Sequence, residues 1–144
     1  MIRGVLAVVT GLFAGGIIVA TVEFMSTQMF PLPPGLELSD TEGMKKHVES
    51  LPPLAFVMVL GAHILGAFFG GVVCGMIFQR PFFVGGLIIG CLLMGGGIGN
   101  LYLLPHPIWF AVLDVLCYLP LALGGVWIGG EFIKQLNRPG PALD

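Results

Sequence analysis

Apolar residues in this chain fall into four long runs, each bounded by prolines or by a short polar stretch. Val5 to Phe30 is the first, stopped by Pro31, Pro33, Pro34 and Gly35. Leu54 to Phe78 is the second, opened by Pro52 and Pro53, which suit a helix start because the N–H they lack would have no partner there. Phe82 to Leu104 follows after only Gln79, Arg80 and Pro81, and Ile108 to about Phe132 follows Pro105 and Pro107. Crossing about 30 Å of hydrocarbon takes roughly 20 mainly apolar residues. Each run meets that length, so the pattern predicts an all-α, integral membrane bundle of four transmembrane helices in a single domain, residues 1–144.

The stretch from residue 31 to 53 is the one sizeable polar segment. Ser39-Asp40-Thr41-Glu42 fits a capping box, an N-cap hydroxyl with a glutamate three residues on. It predicts a short amphipathic helix from about Asp40 to Ser50 in the outer loop. Met44, Val48 and Leu51 would lie on the membrane face, with Lys45, Lys46 and Glu49 in water. With both termini inside, the inner side carries Arg3, Arg80, Lys134 and Arg138, and the outer side Lys45 and Lys46. That excess predicts cytoplasmic termini. Trp109 falls at the outer start of the fourth helix and Trp127 near its inner end, where interfacial aromatics belong.

Composition narrows the classes. Of 144 residues 56% are hydrophobic and 10% charged, against about 25% charged in a soluble domain. The lipid bilayer is therefore the expected surrounding. Six Lys and Arg make no basic face, which excludes a nucleic-acid partner. The apolar stretch that follows Arg3 exceeds the 7–15 residues of a cleaved signal core and reads as a retained helix. Cys74, Cys91 and Cys117 each sit inside an apolar run without C-x-x-C or histidine spacing, and read as buried thiols. No metal constellation forms around His47 or His106, and no cofactor or catalytic motif is present.

Laying the two halves together shows a repeat. A shift of 54 pairs Pro53 with Pro107, Phe56 with Phe110, Gly70-Gly71 with Gly124-Gly125, and Gly75 with Gly129. A shift of 74 pairs Gly11 with Gly85, Gly16 with Gly90, Pro31 with Pro105, and Pro33 with Pro107. Two hairpins entering from the same side would form a parallel repeat about an axis along the membrane normal.

All four runs carry small residues four apart, which share a helix face and let backbones approach closely. The helix-packing candidates are Gly11 and Gly15 in the first run, and Gly66, Gly70, Gly71 and Gly75 in the second. Gly86 and Gly90, with Gly95 and Gly99, mark the third, and Gly125 and Gly129 the fourth. These faces either knit the four helices together or turn toward another subunit, as a homo-oligomer or beside other membrane proteins.

Inside the apolar spans stand Glu23, His63, Asn100 and Asp114, the candidate intramembrane polar site. Polar groups at such depth cost several kcal/mol unless paired. At a rise of about 1.5 Å per residue, Glu23 and Asp114 lie roughly 10 Å below the outer helix ends, Asn100 about 7 Å and His63 about 15 Å. One polar group per helix at similar depth is the pattern of a shared site; isolated structural contacts are the other reading. Glu131 lies at the inner end beside Lys134 as a solvated pair.

Glu23, Pro31-Leu32-Pro33-Pro34-Gly35-Leu36, Ser50-Leu51-Pro52, Gly66-Ala67 with Gly70-Gly71, and Pro105-His106-Pro107-Ile108-Trp109-Phe110 together carry a resemblance. On them the chain resembles a family of uncharacterised small bacterial four-helix inner-membrane proteins. The resemblance implies a bacterial cytoplasmic membrane and supplies no activity. Two functions therefore stand as expectations. One is a non-enzymatic, glycine-packed subunit of a homo-oligomer or larger membrane complex, favoured by loops too small for a catalytic domain. The other is a small proton-coupled transporter or channel using Glu23 with His63 and Asp114.

Overall fold

The computed structural model describes residues 2–78 and 82–138. Among these described residues five helices follow in order: α1 (Ile2–Met29), α2 (Thr41–Ser50), α3 (Pro53–Ile77), α4 (Phe82–Leu103) and α5 (Ile108–Leu136). α1, α3, α4 and α5 are each long and apolar enough to cross a bilayer, which makes this a multipass four-helix membrane bundle. Prolines open two of them where expected, with Pro53 at the first turn of α3 and Pro107 as the N-cap of α5. The expected tight turn over Gln79, Arg80 and Pro81 lies outside the described residues.

Two helices run further than their apolar stretches. α1 begins at Ile2, where the Arg3 Nε–H donates to the Ile77 carbonyl oxygen at 3.0 Å and partners an orphan acceptor at the end of α3. α5 continues to Leu136 rather than ending near Phe132. Trp109 and Trp127 are about 27 Å apart at a helical rise of about 1.5 Å per residue, close to the hydrocarbon thickness. In the last turns of α5 Lys134 Nζ pairs with Glu131 Oε1 at 2.6 Å.

The loop between α1 and α3 departs from expectation in two ways. Asp40, not Ser39, caps α2: its Oδ1 accepts from the Gly43 N–H at 3.0 Å, while the Ser39 hydroxyl donates to Glu37. The helix starts one residue later than the predicted box, and its third residue is Gly43, which has no side chain to close a box. Nor does α2 lie with its apolar face on the membrane. Val48 is buried against Phe56 and Phe110, with Leu51 beside them, so α2 closes one end of the bundle. The turn leading into it has the Leu36 N–H donating to Pro33 O at 3.1 Å. Gly35 sits at φ +82° in that turn, a conformation that suits glycine after proline in a type II turn.

α3 and α5 form the centre, with α1 packed on α3 and α4 on α5; α1 and α4 touch least among the packed pairs. Ten of the twelve candidate packing glycines face neighbours within the chain, and Gly95 and Gly99 do not. A Cβ at Gly11 or Gly15 would meet the Gly70 or Gly66 carbonyl, and one at Gly86 or Gly90 would meet Leu123 or Leu119. The α3–α5 contact is reciprocal. Gly71 rests on the Ala122 carbonyl and Gly125 on the Phe68 carbonyl; Gly75 rests on that of Val126 and Gly129 on that of Val72. Residues 68 and 122, 72 and 126, 71 and 125, and 75 and 129 are each 54 apart, so this interface obeys the shift found in the sequence. Beside this backbone-to-backbone approach lies a buried cluster of Ala7, Cys74, Ile89, Ala122 and Val126.

Candidate intramembrane polar site

Polar side chains in an apolar span either bond to their own helix or find partners on another. Thr21 and Thr27 donate back to the Ile17 and Phe24 carbonyls, and the Cys117 thiol to that of Asp114. These residues are satisfied locally. Glu23, His63 and Asp114 instead meet one another across three helices.

His63 stands at the centre of the group, on the α3 face between α1 and α5. With Asp114 as carboxylate, the His63 Nδ1–H donates to Asp114 Oδ1 at 2.6 Å. Asp114 is 1% exposed and His63 7%, so this contact is shielded from solvent and lipid alike. The remaining ring nitrogen, Nε2, faces Glu23 Oε1 at 3.7 Å. That separation exceeds a hydrogen bond and is closed by a small movement of Glu23, whose side chain is 45% exposed. The Tyr118 hydroxyl donates to Asp114 Oδ2 at 3.4 Å, and its ring lies 5.5 Å from that of His63.

This arrangement fixes the tautomer. A carboxylate on Nδ1 keeps the proton there and leaves the Nε2 lone pair aimed at Glu23, the orienting role a buried carboxylate plays toward histidine elsewhere. A proton reaching Glu23 can pass to Nε2, giving an imidazolium flanked by two carboxylates. Its charge is compensated where it forms, which an apolar span requires.

Two cavities meet at Glu23. One, of about 500 Å³, lies between α1 and α4, with Glu23, His63, Asn100 and Tyr118 as its polar lining. The second, of about 340 Å³, lies beneath α2 and again includes Glu23 and Asn100, with Met44 and His47 of α2 along its border. In the opposite direction Ile89, fully buried, fills the space against Gly11. Beyond it lies a separate groove of about 450 Å³ lined only by apolar residues and glycine, Phe78 and Val84 among them. The polar site thus opens toward the α2 end and is closed by Ile89 toward the chain termini.

The structure therefore brings Glu23, His63 and Asp114 into one cluster, with Asn100 on the wall of the same cavity. Tyr118 was not anticipated, since a tyrosine in an apolar run reads as core. Its signal was the spacing from Asp114, four residues along one helix face. Pro120, two residues further on, also went unread; it has no N–H for the Leu116 carbonyl. Among the described residues no group of three metal ligands converges. His106 is structural: its ring stacks on Phe110 at 5.0 Å and its Nδ1 bonds to Leu104 O at 2.8 Å.

Comparison with family models, curated proteins and solved structures gives no match to this chain. The site is therefore read from its own chemistry.

Proposed function

We propose that this protein is a small proton-coupled membrane transporter in which Glu23 and His63 hold and release the proton. The single observation that carries the reading is the bridging position of His63. One ring nitrogen is fixed by a buried carboxylate, and the other faces a carboxylate that borders two cavities. Structural glue needs no cavity at its edge, and it gains nothing from a half-exposed acid. One open direction and one closed by Ile89 is what a site alternating between two sides requires. We place the chain in a bacterial cytoplasmic membrane with both termini cytoplasmic, a reading supported by Arg3, Lys134 and Arg138 lying at one end and Lys45 and Lys46 at the other.

The test is proton movement into liposomes carrying purified protein, followed with an internal pH-sensitive dye after a pH jump. Wild-type protein is expected to speed equilibration, and Glu23→Gln to return it to the level of empty liposomes while the protein still folds. Undiminished flux in folded Glu23→Gln would remove Glu23 from the mechanism.

A homo-oligomer is the second reading, favoured by one stretch of α4. A Cβ at Gly95 or Gly99 would meet nothing within 4 Å, and Cys91, one turn earlier on the same face, is exposed. Two copies crossing there would bring their Cys91 thiols close. Mild oxidation of membranes is then expected to give a covalent dimer that Cys91→Ser abolishes; wild-type protein remaining monomeric on denaturing gels would count against this contact.

A further inference from the structure

Three places in the molecule hold chemistry or space not yet assigned. They are the apolar groove beside Phe78 and Val84, the exposed Gly95–Gly99 face, and the cavity between α1 and α4. The cavity has features that define what it would hold.

Its charge is the first. Glu23 lines it and Asp114 lies directly behind His63. Even with His63 as imidazolium, two carboxylates leave one negative charge in excess. Among the described residues no lysine or arginine lines the cavity. Arg3 is held at the end of α3, Lys45 by Glu42 and Lys134 by Glu131.

The second feature is the wall. Val19, Ala20, Leu92 and Leu93 offer no oxygen ligands, and Glu23, Asn100 and Tyr118 are too few for a bare alkali or alkaline-earth ion, which takes about six or more oxygens. An occupant must therefore bring its own apolar covering. The third feature is room. Gly16 and Gly96 face the cavity from opposite helices, and a Cβ at either meets nothing within 4 Å. The space of about 500 Å³ is ample for a body of ten to twenty heavy atoms. Since α1 and α4 are the least closely packed pair, the cavity lies where an amphipathic molecule dissolved in the bilayer can reach it.

We infer that the α1–α4 cavity binds a monovalent organic cation with an apolar body, exchanged at Glu23 against the proton. The inference rests on the proton-handling reading of the same site. The exchange balances: as the cation enters, the single proton shared by Glu23 and His63 leaves through Glu23 to the open side, and the net charge in the membrane interior is unchanged. A cation bound without that release would add an uncompensated charge to the apolar span.

The experiment uses the full chain in nanodiscs and two probes of similar shape and opposite sign, benzyltrimethylammonium and phenylmethanesulfonate. Binding is followed by titration calorimetry in two buffers of different protonation enthalpy. Saturable binding of the cation with proton release is expected, and none of the anion. Gly96→Leu, at a position on the cavity wall where a Cβ meets nothing within 4 Å, is expected to weaken cation binding by at least about tenfold at unchanged melting temperature. In parallel, nitrogen-15 spectra of the histidine rings follow His63 in wild type and Glu23→Gln. If His63 responds to the substitution while the cation fails to bind, the anion binds equally, or Gly96→Leu binds as wild type does, the ligand class is wrong and the proton reading stands. If His63 titrates identically in both proteins, both ideas fall.

Discussion

Replacing Gly75 with leucine is expected to prevent assembly of the bundle, whereas the same substitution at Gly124 leaves it folded. The two glycines lie on the two central helices, and what stands opposite each of them differs. A Cβ at Gly75 would run into the Val126 backbone, including its carbonyl oxygen, whereas one at Gly124 meets nothing within 4 Å. Backbone has no rotamer to move into, so α3 and α5 would have to separate along their whole contact, and Gly71, Gly125 and Gly129 would lose their seats with it. The cost is expected at or above about 3 kcal/mol, the upper end of overpacking penalties, because in lipid no gain from burying apolar surface compensates for lost contact. Gly75→Leu should therefore elute as aggregate from a sizing column run in mild detergent. Gly124→Leu should elute and melt as wild type. A folded, wild-type-like Gly75→Leu would show that the α3–α5 contact is not what holds the helices together.

The same geometry explains how much the sequence disclosed. Prolines mark the start of α3 and α5 and the end of α1, because a helix end is where the N–H they lack breaks no helical bond, so the boundaries came out within a few residues; Pro120 inside α5 is the exception. The small-residue spacing marked every packed face, since only those residues permit backbone contact. It did not say which face meets which, because a glycine identifies a close approach and not its partner. The extension of α5 past Phe132 was hidden for another reason: Glu131 and Lys134 end the apolar run, but as a pair one turn apart they also support a helix in water.

The polar cluster was legible by residue type and depth. Glu23, His63, Asn100 and Asp114 stand out in any apolar span, and the depth estimates put them in one half of the membrane. Their order of contact was not legible. Under the 54-residue shift His63 corresponds to Cys117 and Asp114 to Leu60, so the two halves share packing glycines and not polar groups. The repeated positions build the reciprocal α3–α5 contact. The site arises where the halves differ, with His63 of one half reaching Asp114 of the other at 2.6 Å. Tyr118 joins it through the same asymmetry, as residue 64 in the other half is isoleucine.

That asymmetry makes His63 and Asp114 separable from the fold, and a pair of substitutions tests it. Asp114→Leu alone leaves a 7%-exposed imidazole without its carboxylate, and removing one member of a buried pair is costly because the other keeps its desolvation penalty. About 3 kcal/mol is expected, the low end of the range for a broken buried pair, since His63 still faces Glu23 at 3.7 Å. Adding His63→Leu removes the stranded group as well, and apolar replacement of both partners is often neutral or stabilising. The double variant is therefore expected to recover most of the melting temperature lost by Asp114→Leu while showing no proton flux in liposomes. If the double variant stays as unstable as the single one, the pair is a structural requirement of the bundle. If it recovers stability and still moves protons, Glu23 works without His63, and the relay through Nε2 is wrong.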